Sequence, residues 1–303
     1  MSSASISASM VKELREKTGV GMMECKKALE ESQGDMEKAI LWLRERGMSR
    51  AAKKADRVAA EGVVEVFVST DQTAGALVEL NCETDFASKN EEFRALAAEI
   101  AQVALGQKTE AVEALLEAQS GGDSIKKKLT ALIAKVGENM TLRRVKLVSV
   151  PQGVVSGYSH MGGKIGTLVA LEGSVDASVA EIGKDLAMHV AAAAPRYLTG
   201  SEVSTTEIEQ EKEIARKRLL EEGKPADLIE KILMGQVQKF FKEICLLEQP
   251  FIKDPSLAVQ KFVDSHKKGL KVKSFGRYQL GEGIEKKKDD FAAEVAAAAG
   301  LKN

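Results

Sequence analysis

The chain has 303 residues, of which 44% are hydrophobic and 29% charged, with 44 Lys and Arg against 45 Asp and Glu. This composition is typical of a globular protein longer than one domain, and the near-zero net charge argues against nucleic-acid binding over the whole surface. The three cysteines lie far apart, which favours reduced thiols over a disulfide framework. Because no apolar run is long enough for a bilayer and the first residues do not resemble a secretory signal, we expect a cytoplasmic protein without a membrane segment.

After a flexible stretch at 1–8, residues 9–46 predict a small bundle of three short helices. Gly19 and Gly34 are placed to end the first two helices, since glycine readily adopts the left-handed conformation of a helix end. The apolar spacing predicts six inward-facing side chains: Cys25, Ala28, Leu29, Ile40, Leu41 and Leu43. We therefore expect a helical domain at 9–46.

The next stretch, 47–60, is basic and rich in alanine, and it predicts a solvated helical linker. The alternative is an RNA contact through residues 46–57. No aromatic side chains alternate with these charges, so the linker is the favoured interpretation.

From Gly62 onward a unit of two strands and a helix occurs twice. Gly62 and Gly75 begin two apolar stretches in the first copy, and Gly153 and Gly166 begin two similar stretches, with the same separation, in the second. A helical pattern follows in each copy, at 93–105 and at 179–194. The repeat predicts an α+β fold with two related core subdomains, at 61–146 and 147–284.

The segment NCETDFASKN, residues 81–90, connects strand to helix in the first copy and places an aromatic side chain in a polar loop. Alignment of the two copies by their strands sets Asp85 opposite Asp176 and Phe86 opposite Ala177. Since alanine is accepted at the corresponding position, Phe86 is not needed for the fold of the unit. Phe86 is therefore a candidate contact residue.

Four further elements complete the predicted architecture. A helix at 123–137 and a strand at 141–147 finish the first subdomain. Residues 202–246 form two helical patterns joined by Gly223-Lys224-Pro225, which predicts an inserted antiparallel coiled coil whose Phe240 and Phe241 pack in its seam. A C-terminal helical module at 285–303 carries an apolar stripe of Phe291 and Val295.

A search for catalytic and cofactor motifs gives no positive sign of an enzyme. The glycine-rich stretches do not fit nucleotide-binding motifs, and no Cys/His cluster has metal-ligand spacing. His189 lies in an apolar helical run, so a structural histidine is the favoured interpretation. Three separated contact features remain: Met22 with Met23, Phe86, and the terminal stripe. They indicate a multidomain protein that binds another protein.

Six segments closely resemble the bacterial elongation factor Ts family, in order along nearly the whole chain. The N-terminal segment is VKELREKTGVGMMECKKALEESQGDMEKAILWLR, and the others are NCETDF, IAKVGENMTLRRV, AMHVAAAAPRYL, QPFIKDPS and GEGIEKKKDDFAAEVAA. The resemblance implies a non-enzymatic guanine-nucleotide exchange factor for the GTPase elongation factor Tu. It also implies a ubiquitin-associated-like N-terminal fold, no cofactor and no direct nucleotide binding.

The resemblance also implies roles for individual residues. Asp85 and Phe86 would insert into the GTPase domain of elongation factor Tu near the Mg²⁺ and phosphate site, on a loop shaped by Thr84. Leu14, Met22 and Met23 would dock the N-terminal module, and Phe291 and Val295 the C-terminal module, with a further domain of the partner also in contact. Three alternatives stay open: a scaffold that binds the GTPase without exchange, a dimer of heterodimers, and a coiled coil that self-associates, touches a second GTPase or contacts tRNA.

Overall fold

The computed structural model describes residues 6–285, which form a mixed α and β structure with small antiparallel sheets. The helices are α1 Ala8–Thr18, α2 Met22–Glu31, α3 Met36–Lys54, α4 Asp85–Ser88, α5 Glu91–Gln107, α6 Val112–Glu117, α7 Ile125–Val136, α8 Ala177–Ala193, α9 Thr205–Glu221, α10 Ala226–Ile244 and α11 Val259–His266. The strands are β1 Glu61–Val68, β2 Ala74–Cys82, β3 Gln119–Ser120, β4 Asp123–Ser124, β5 Met140–Ser149, β6 Gly153–His160, β7 Ile165–Glu172, β8 Pro250–Phe251, β9 Asp254–Ala258 and β10 Lys271–Gln279.

The N-terminal bundle consists of α1, α2 and residues 36–46 of α3. Gly19 ends α1 in the left-handed conformation, with φ 66°, as its position in the sequence predicts. The bundle core contains Val11, Leu14, Cys25, Ala28, Leu29, Ala39 and Leu43. The prediction that Leu41 points inward is wrong, because this side chain is 56% exposed. Two residues along an α-helix differ by about 200° in direction, so Leu41 cannot share the buried face of Leu43.

Helix α3 continues without a break to Lys54 and joins the bundle to the rest of the molecule. Its buried Gly47 lies against α7, where a β-carbon on Gly47 would come within 2.9 Å of the β-carbon of Ala134. Lys54 donates a hydrogen bond to the carbonyl oxygen of Gly137, at the end of α7. Most of the basic stretch after residue 46 is therefore helical, and α3 packs against α7.

Two three-stranded antiparallel sheets carry the repeat. Their strand orders are β1-β2-β5 and β6-β7-β10, and the first two strands pair in the same register in both copies. Gly62 and Gly153 both have positive φ values, 138° and 152°. A β-carbon at these positions would overlap the carbonyl oxygens of Leu80 and Leu171 on the neighbouring strands. The repeated glycine thus has a steric cause.

The two sheets pack face to face, with helices on their outer faces. Side chains alternate along each central strand: Val78 and Leu80 of β2 face α5, whereas Leu77 joins the interface with the second sheet. In β7, Leu171 faces α8 and Leu168 faces the first sheet. A layer of apolar side chains between the sheets therefore joins the two copies.

The copies differ in the connection from the second strand to the helix. In the strands, Leu80 corresponds to Leu171, whereas the two helices, each of 17 residues, begin at Glu91 and at Ala177. The second copy is therefore five residues shorter in this connection. The alignment of Phe86 with Ala177 holds for the strand register alone.

Helices α9 and α10 pack against each other as an antiparallel pair, and we call them the arm. The buried contacts along the pair are Ala215, Leu219, Ile229 and Leu233. Arg216 and Glu230 form an ion pair of 2.8 Å across the two helices. Phe240 and Phe241 pack at the base of the arm with Ile208, Val203, Ile244 and Cys245, so they have a packing role.

Two short helices, α6 and α11, were not predicted from the sequence. Helix α11 buries Val259, Phe262 and Val263 against the second sheet, and strand β10 follows it. The C-terminal module with Phe291 and Val295 lies outside the described residues.

Candidate functional site

The segment predicted as a loop forms a single helical turn, which we call the 84–88 turn. Thr84 is its N-cap, and the Thr84 hydroxyl accepts a hydrogen bond of 3.2 Å from the amide of Ala87. Asn90 then caps α5 by accepting from the amides of Glu92 and Phe93. Two capping residues in close succession break the helix, and the turn separates from α5 as a consequence.

Phe86 projects from this turn into solvent, with 80% of its surface exposed, whereas Ala87 and Ser88 beside it are buried. The ammonium group of Lys89 lies 5.5 Å from the ring centroid, and it also pairs with the Asp85 carboxylate at 2.7 Å. Exposure of a whole phenyl ring on an ordered backbone is unfavourable in the free protein. Such a ring is suited to a contact with another molecule.

A carboxylate from outside the turn holds its first residue. Glu138 follows α7 and accepts hydrogen bonds from the Thr84 amide, at 2.9 Å, and from the Thr84 hydroxyl, at 2.7 Å. A second hydrogen bond joins the same two segments with donor and acceptor exchanged, because the amide of Asn139 donates to the Glu83 carboxylate at 2.6 Å. The turn is therefore attached at its start by side chains from both chain segments.

Arg94 holds the other end of the turn. Its guanidinium donates to the carbonyl oxygens of Ser88 and of Gly162, each at 3.0 Å, and Gly162 lies at the tip of the β6–β7 hairpin. Met161, at the same tip, is 73% exposed and has φ 49°. Burial raises the pKa of the Glu65 carboxyl, although the positive charge of the nearby Arg94 lowers it in part. Arg94 thus connects the turn that carries Phe86 to a second exposed apolar side chain.

The N-terminal candidates divide into exposed and buried residues. Met22 and Met23 are 44% and 76% exposed at the start of α2. Leu14 is fully buried in the bundle core, so its assignment to a docking surface is corrected. Its side chain stabilises the bundle and has no surface to offer a partner.

The bundle and the start of α5 border a common crevice of about 370 Å³. Its lining includes Thr18 at the end of α1 and Glu92 in the first turn of α5. Lys135 of α7 pairs with Glu92 at 2.5 Å, and its side chain also lies against Gly19. The turn that precedes Met22 therefore lies near the helix that follows the 84–88 turn.

His189 and the three cysteines are buried and have structural roles. His189 is fully buried: its Nδ1 accepts from the amide of Ile252 at 3.1 Å, and its Nε2 lies 3.0 Å from the amide oxygen of Gln249. Burial lowers the pKa of His189. The structural interpretation of this histidine is confirmed. The three cysteines are free and buried, and burial raises the pKa of Cys82 to about 12.

Within residues 6–285, no group of three or more His, Cys, Asp or Glu side chains is arranged to hold a metal ion. A membrane-spanning helix would need more length and apolar character than any helix described there has. The geometry of this region instead presents exposed apolar side chains on ordered turns.

Sequence reasoning missed Glu138, Arg94 and Met161. The only available signal for Glu138 was the motif IAKVGENMTLRRV, which gives no indication of the contact with Thr84. Arg94 and Met161 carried no distinguishing pattern, because their proximity to the turn depends on how the two sheets pack.

Comparisons with known proteins agree along the chain. Residues 83–282 match the family described as "Elongation factor TS", and residues 1–51 match "Elongation factor Ts, mitochondrial, N-terminal". The chain is 50% identical over 301 residues to elongation factor Ts of Clostridium botulinum strain Alaska E43, covering 97% of this chain and 99% of the relative. The protein of the same name from strain Eklund 17B is 49% identical with the same coverage.

Proposed function

The chain belongs to the elongation factor Ts family of translation elongation factors, and on this premise we propose that it releases GDP from elongation factor Tu by inserting Phe86. In this proposal the phenyl ring enters the GTPase domain beside the Mg²⁺ and phosphate site, with Asp85 next to it. The displacement of elements that hold the nucleotide weakens GDP binding. No covalent bond is made or broken.

The observation that carries this proposal is the exposure of Phe86 on an attached turn. The side chain is 80% exposed, yet the turn is held by Glu138 at its start and by Arg94 at its end. A pre-ordered apolar group loses little conformational entropy when it binds, so more of its burial energy is available to distort the partner.

The energies show that Phe86 needs help from a wider interface. A thousandfold weakening of GDP affinity requires about 4 kcal/mol of coupling. Burial of one phenylalanine side chain supplies about 1.5–3 kcal/mol. Met22 and Met23, together with Phe291 and Val295 of the C-terminal module, are proposed to contribute the additional contacts. Thermodynamic reciprocity then requires that GDP weaken the binding of this protein by the same factor.

The finer architecture belongs to the same proposal. We assign the two sheets and their helices to two core subdomains and the arm to an antiparallel coiled coil, and we place the protein in the cytoplasm with its partner GTPase. The packing of α9 on α10 through Leu219 and Leu233 supports the coiled-coil assignment. A second domain of the partner is proposed to contact the core.

The test is the release rate of fluorescent GDP from elongation factor Tu, measured with wild-type protein and with Phe86→Ala. Wild type is expected to accelerate release, and the variant to lose about tenfold or more of that acceleration at saturating concentration. The matched control is Val175→Ala. Val175 is 54% exposed in the corresponding connection of the second copy, and its truncation should leave the rate unchanged.

Two outcomes would contradict the proposal. Equal rates for wild type and Phe86→Ala would remove the insertion step and leave exchange to other contacts. Binding without any acceleration by wild type would replace exchange with a scaffold function. Affinity measured in parallel, by titration against nucleotide-free elongation factor Tu, separates the two cases.

A further inference from the structure

We infer that Glu138 is a positioning residue for nucleotide exchange, which fixes the 84–88 turn so that Phe86 meets its partner in a single orientation. The expected effect on nucleotide exchange rests on the proposed function, but the effect of Glu138 on the order of the 84–88 turn does not. Glu138 lies just after α7, far from Phe86 in the sequence, and acts on Phe86 through Thr84.

The Glu138 carboxylate is matched to the two donors of one residue. Oε2 accepts from the Thr84 amide at 2.9 Å, and Oε1 accepts from the Thr84 hydroxyl at 2.7 Å. Hydrogen bonds to a carboxylate are stronger than those between neutral groups. Together they fix the backbone at Thr84 and the direction of its hydroxyl.

The orientation of the Thr84 hydroxyl has a consequence for the turn. A threonine hydroxyl has one proton to donate and lone pairs to accept with. Because the proton is directed to Glu138, a lone pair remains for the amide of Ala87, the bond of 3.2 Å that caps the turn. Without Glu138 the hydroxyl can rotate and its proton can compete for other acceptors. The cap directly before Asp85 and Phe86 then weakens.

A reciprocal contact makes this attachment a junction of three chain segments. The amide of Asn139 donates to Glu83, and the Asn139 side chain donates to the carbonyl oxygens of Ala55, at 3.3 Å, and Arg57, at 2.7 Å. Ala55 directly follows α3. The helix that carries the N-terminal bundle therefore ends at the same two residues that hold the 84–88 turn.

This junction accounts for a feature that the repeat leaves unexplained. The connection in the second copy is five residues shorter, and its Asp176 caps α8 directly. Only the first copy has a separate turn, and only there does a carboxylate from another segment hold the cap. Glu138 is thus part of what converts an ordinary strand-to-helix connection into a projecting one.

The first measurement is amide hydrogen exchange in the free protein, which does not depend on the partner. Glu138→Ala is expected to raise the exchange rates of the Ala87 and Ser88 amides about tenfold or more, with protection in β2 and α5 retained. Glu138→Gln keeps one acceptor and should have an intermediate effect. Glu117→Ala is the matched control, because this carboxylate pairs with Lys126 away from the turn, at 3.0 Å. Unchanged protection at Ala87 and Ser88 in Glu138→Ala overturns the inference.

The second measurement is a double-mutant cycle on the rate of GDP release from elongation factor Tu. At saturation Glu138→Ala is expected to lose roughly ten- to a hundredfold of the acceleration, while the protein concentration that gives half-maximal acceleration changes less. In the Phe86→Ala background the same substitution should cost almost nothing, because the ring that it positions is gone. A general structural role would instead give additive losses in the cycle, and that result overturns the inference.

Two further results keep the test decisive. If Glu138→Ala does not fold, Thr84→Val removes the hydroxyl from the other side of the contact and must reproduce both effects for the inference to hold. If Phe86→Ala alone exchanges like wild type, the proposed function fails and the consequence for exchange fails with it. The hydrogen-exchange result then still decides whether Glu138 orders the turn.

Discussion

Phe86 and Phe93 occur close together in the sequence and have opposite environments, which separates a contact residue from a core residue. Phe86 is 80% exposed and Phe93 is fully buried in the core between the first sheet and its helices. We expect Phe86→Ala to change the free energy of unfolding by less than about 0.5 kcal/mol, and Phe93→Ala to lower it by about 3–5 kcal/mol. Urea titrations of both variants test this. A large loss for Phe86→Ala would mean that the ring packs on its own protein.

His189 predicts a pH dependence of stability with a definite sign. Burial lowers its pKa in the folded protein, so the unfolded chain binds the proton first as the pH falls. The stabilisation is complete above the unfolded pKa of about 6.5 and is lost between that pH and the lower folded pKa. Between pH 7 and pH 5, wild type should therefore lose up to about 1–2 kcal/mol more than His189→Gln.

The measurement is urea unfolding at both pH values, with His266→Gln as the control because His266 is exposed. The comparison with a variant is needed since carboxylates titrate in the same range. Equal losses in wild type and His189→Gln would show that the Gln249 and Ile252 contacts tolerate a charged imidazole.

At the scale of elements, the first strand of each copy depends on its glycine. A β-carbon at Gly153 would overlap the carbonyl oxygen of Leu171, and φ is 152°. Gly153→Ala is therefore expected to lower the free energy of unfolding by at least about 2 kcal/mol. Gly106→Ala is the matched control: nothing lies within 4 Å of its added β-carbon, and helix propensity predicts a gain of up to about 1 kcal/mol. Similar effects of the two substitutions would contradict this steric account.

The same scale shows how much of the fold the sequence could predict. The paired hairpins were predictable because the same steric requirement for glycine applies at Gly62 and Gly153. The repeat is therefore visible in the sequence as a glycine at the same position of each copy. The arm and the bundle followed from helical periodicity. The short α6 and α11 were missed since a few residues give too little periodicity to distinguish a helix from a turn.

The candidate site was predictable only in its exposed part. Phe86 was identified because an aromatic residue in a polar segment has no local reason to be there. Glu138 was missed because its partner, Thr84, is distant in the sequence and the contact exists only after β5, which follows Glu138, pairs with β2. Leu14 was misassigned since a family motif does not distinguish a residue that contacts a partner from one that supports the surface.

For the whole molecule, a buried carboxylate links the first sheet to the end of the described chain. Glu79 is fully buried and accepts from Arg143, Arg144 and the amide of Gly281. Burial alone would raise the pKa of Glu79, but these hydrogen bonds outweigh it and the pKa falls below its usual value. In the strand alignment the second copy has Ala170 here. The asymmetry places the end of the described chain beside the first sheet.

The bundle should unfold together with the core, because α3 is continuous and packs on α7. Trp42 is the chain's only tryptophan and lies in the bundle, so its fluorescence reports that part of the molecule. In wild type we expect the fluorescence and far-UV circular dichroism transitions in urea to coincide.

Gly47→Leu forces a side chain against Ala134. This overpacking, which costs about 1–3 kcal/mol of stability, should separate α3 from α7. Since the bundle core is small, the Trp42 transition should then move to lower urea than the circular dichroism transition. Gly106→Leu, with open space around it, should leave the two transitions together, and coincident transitions in Gly47→Leu would show that the bundle is stable without its contact to α7.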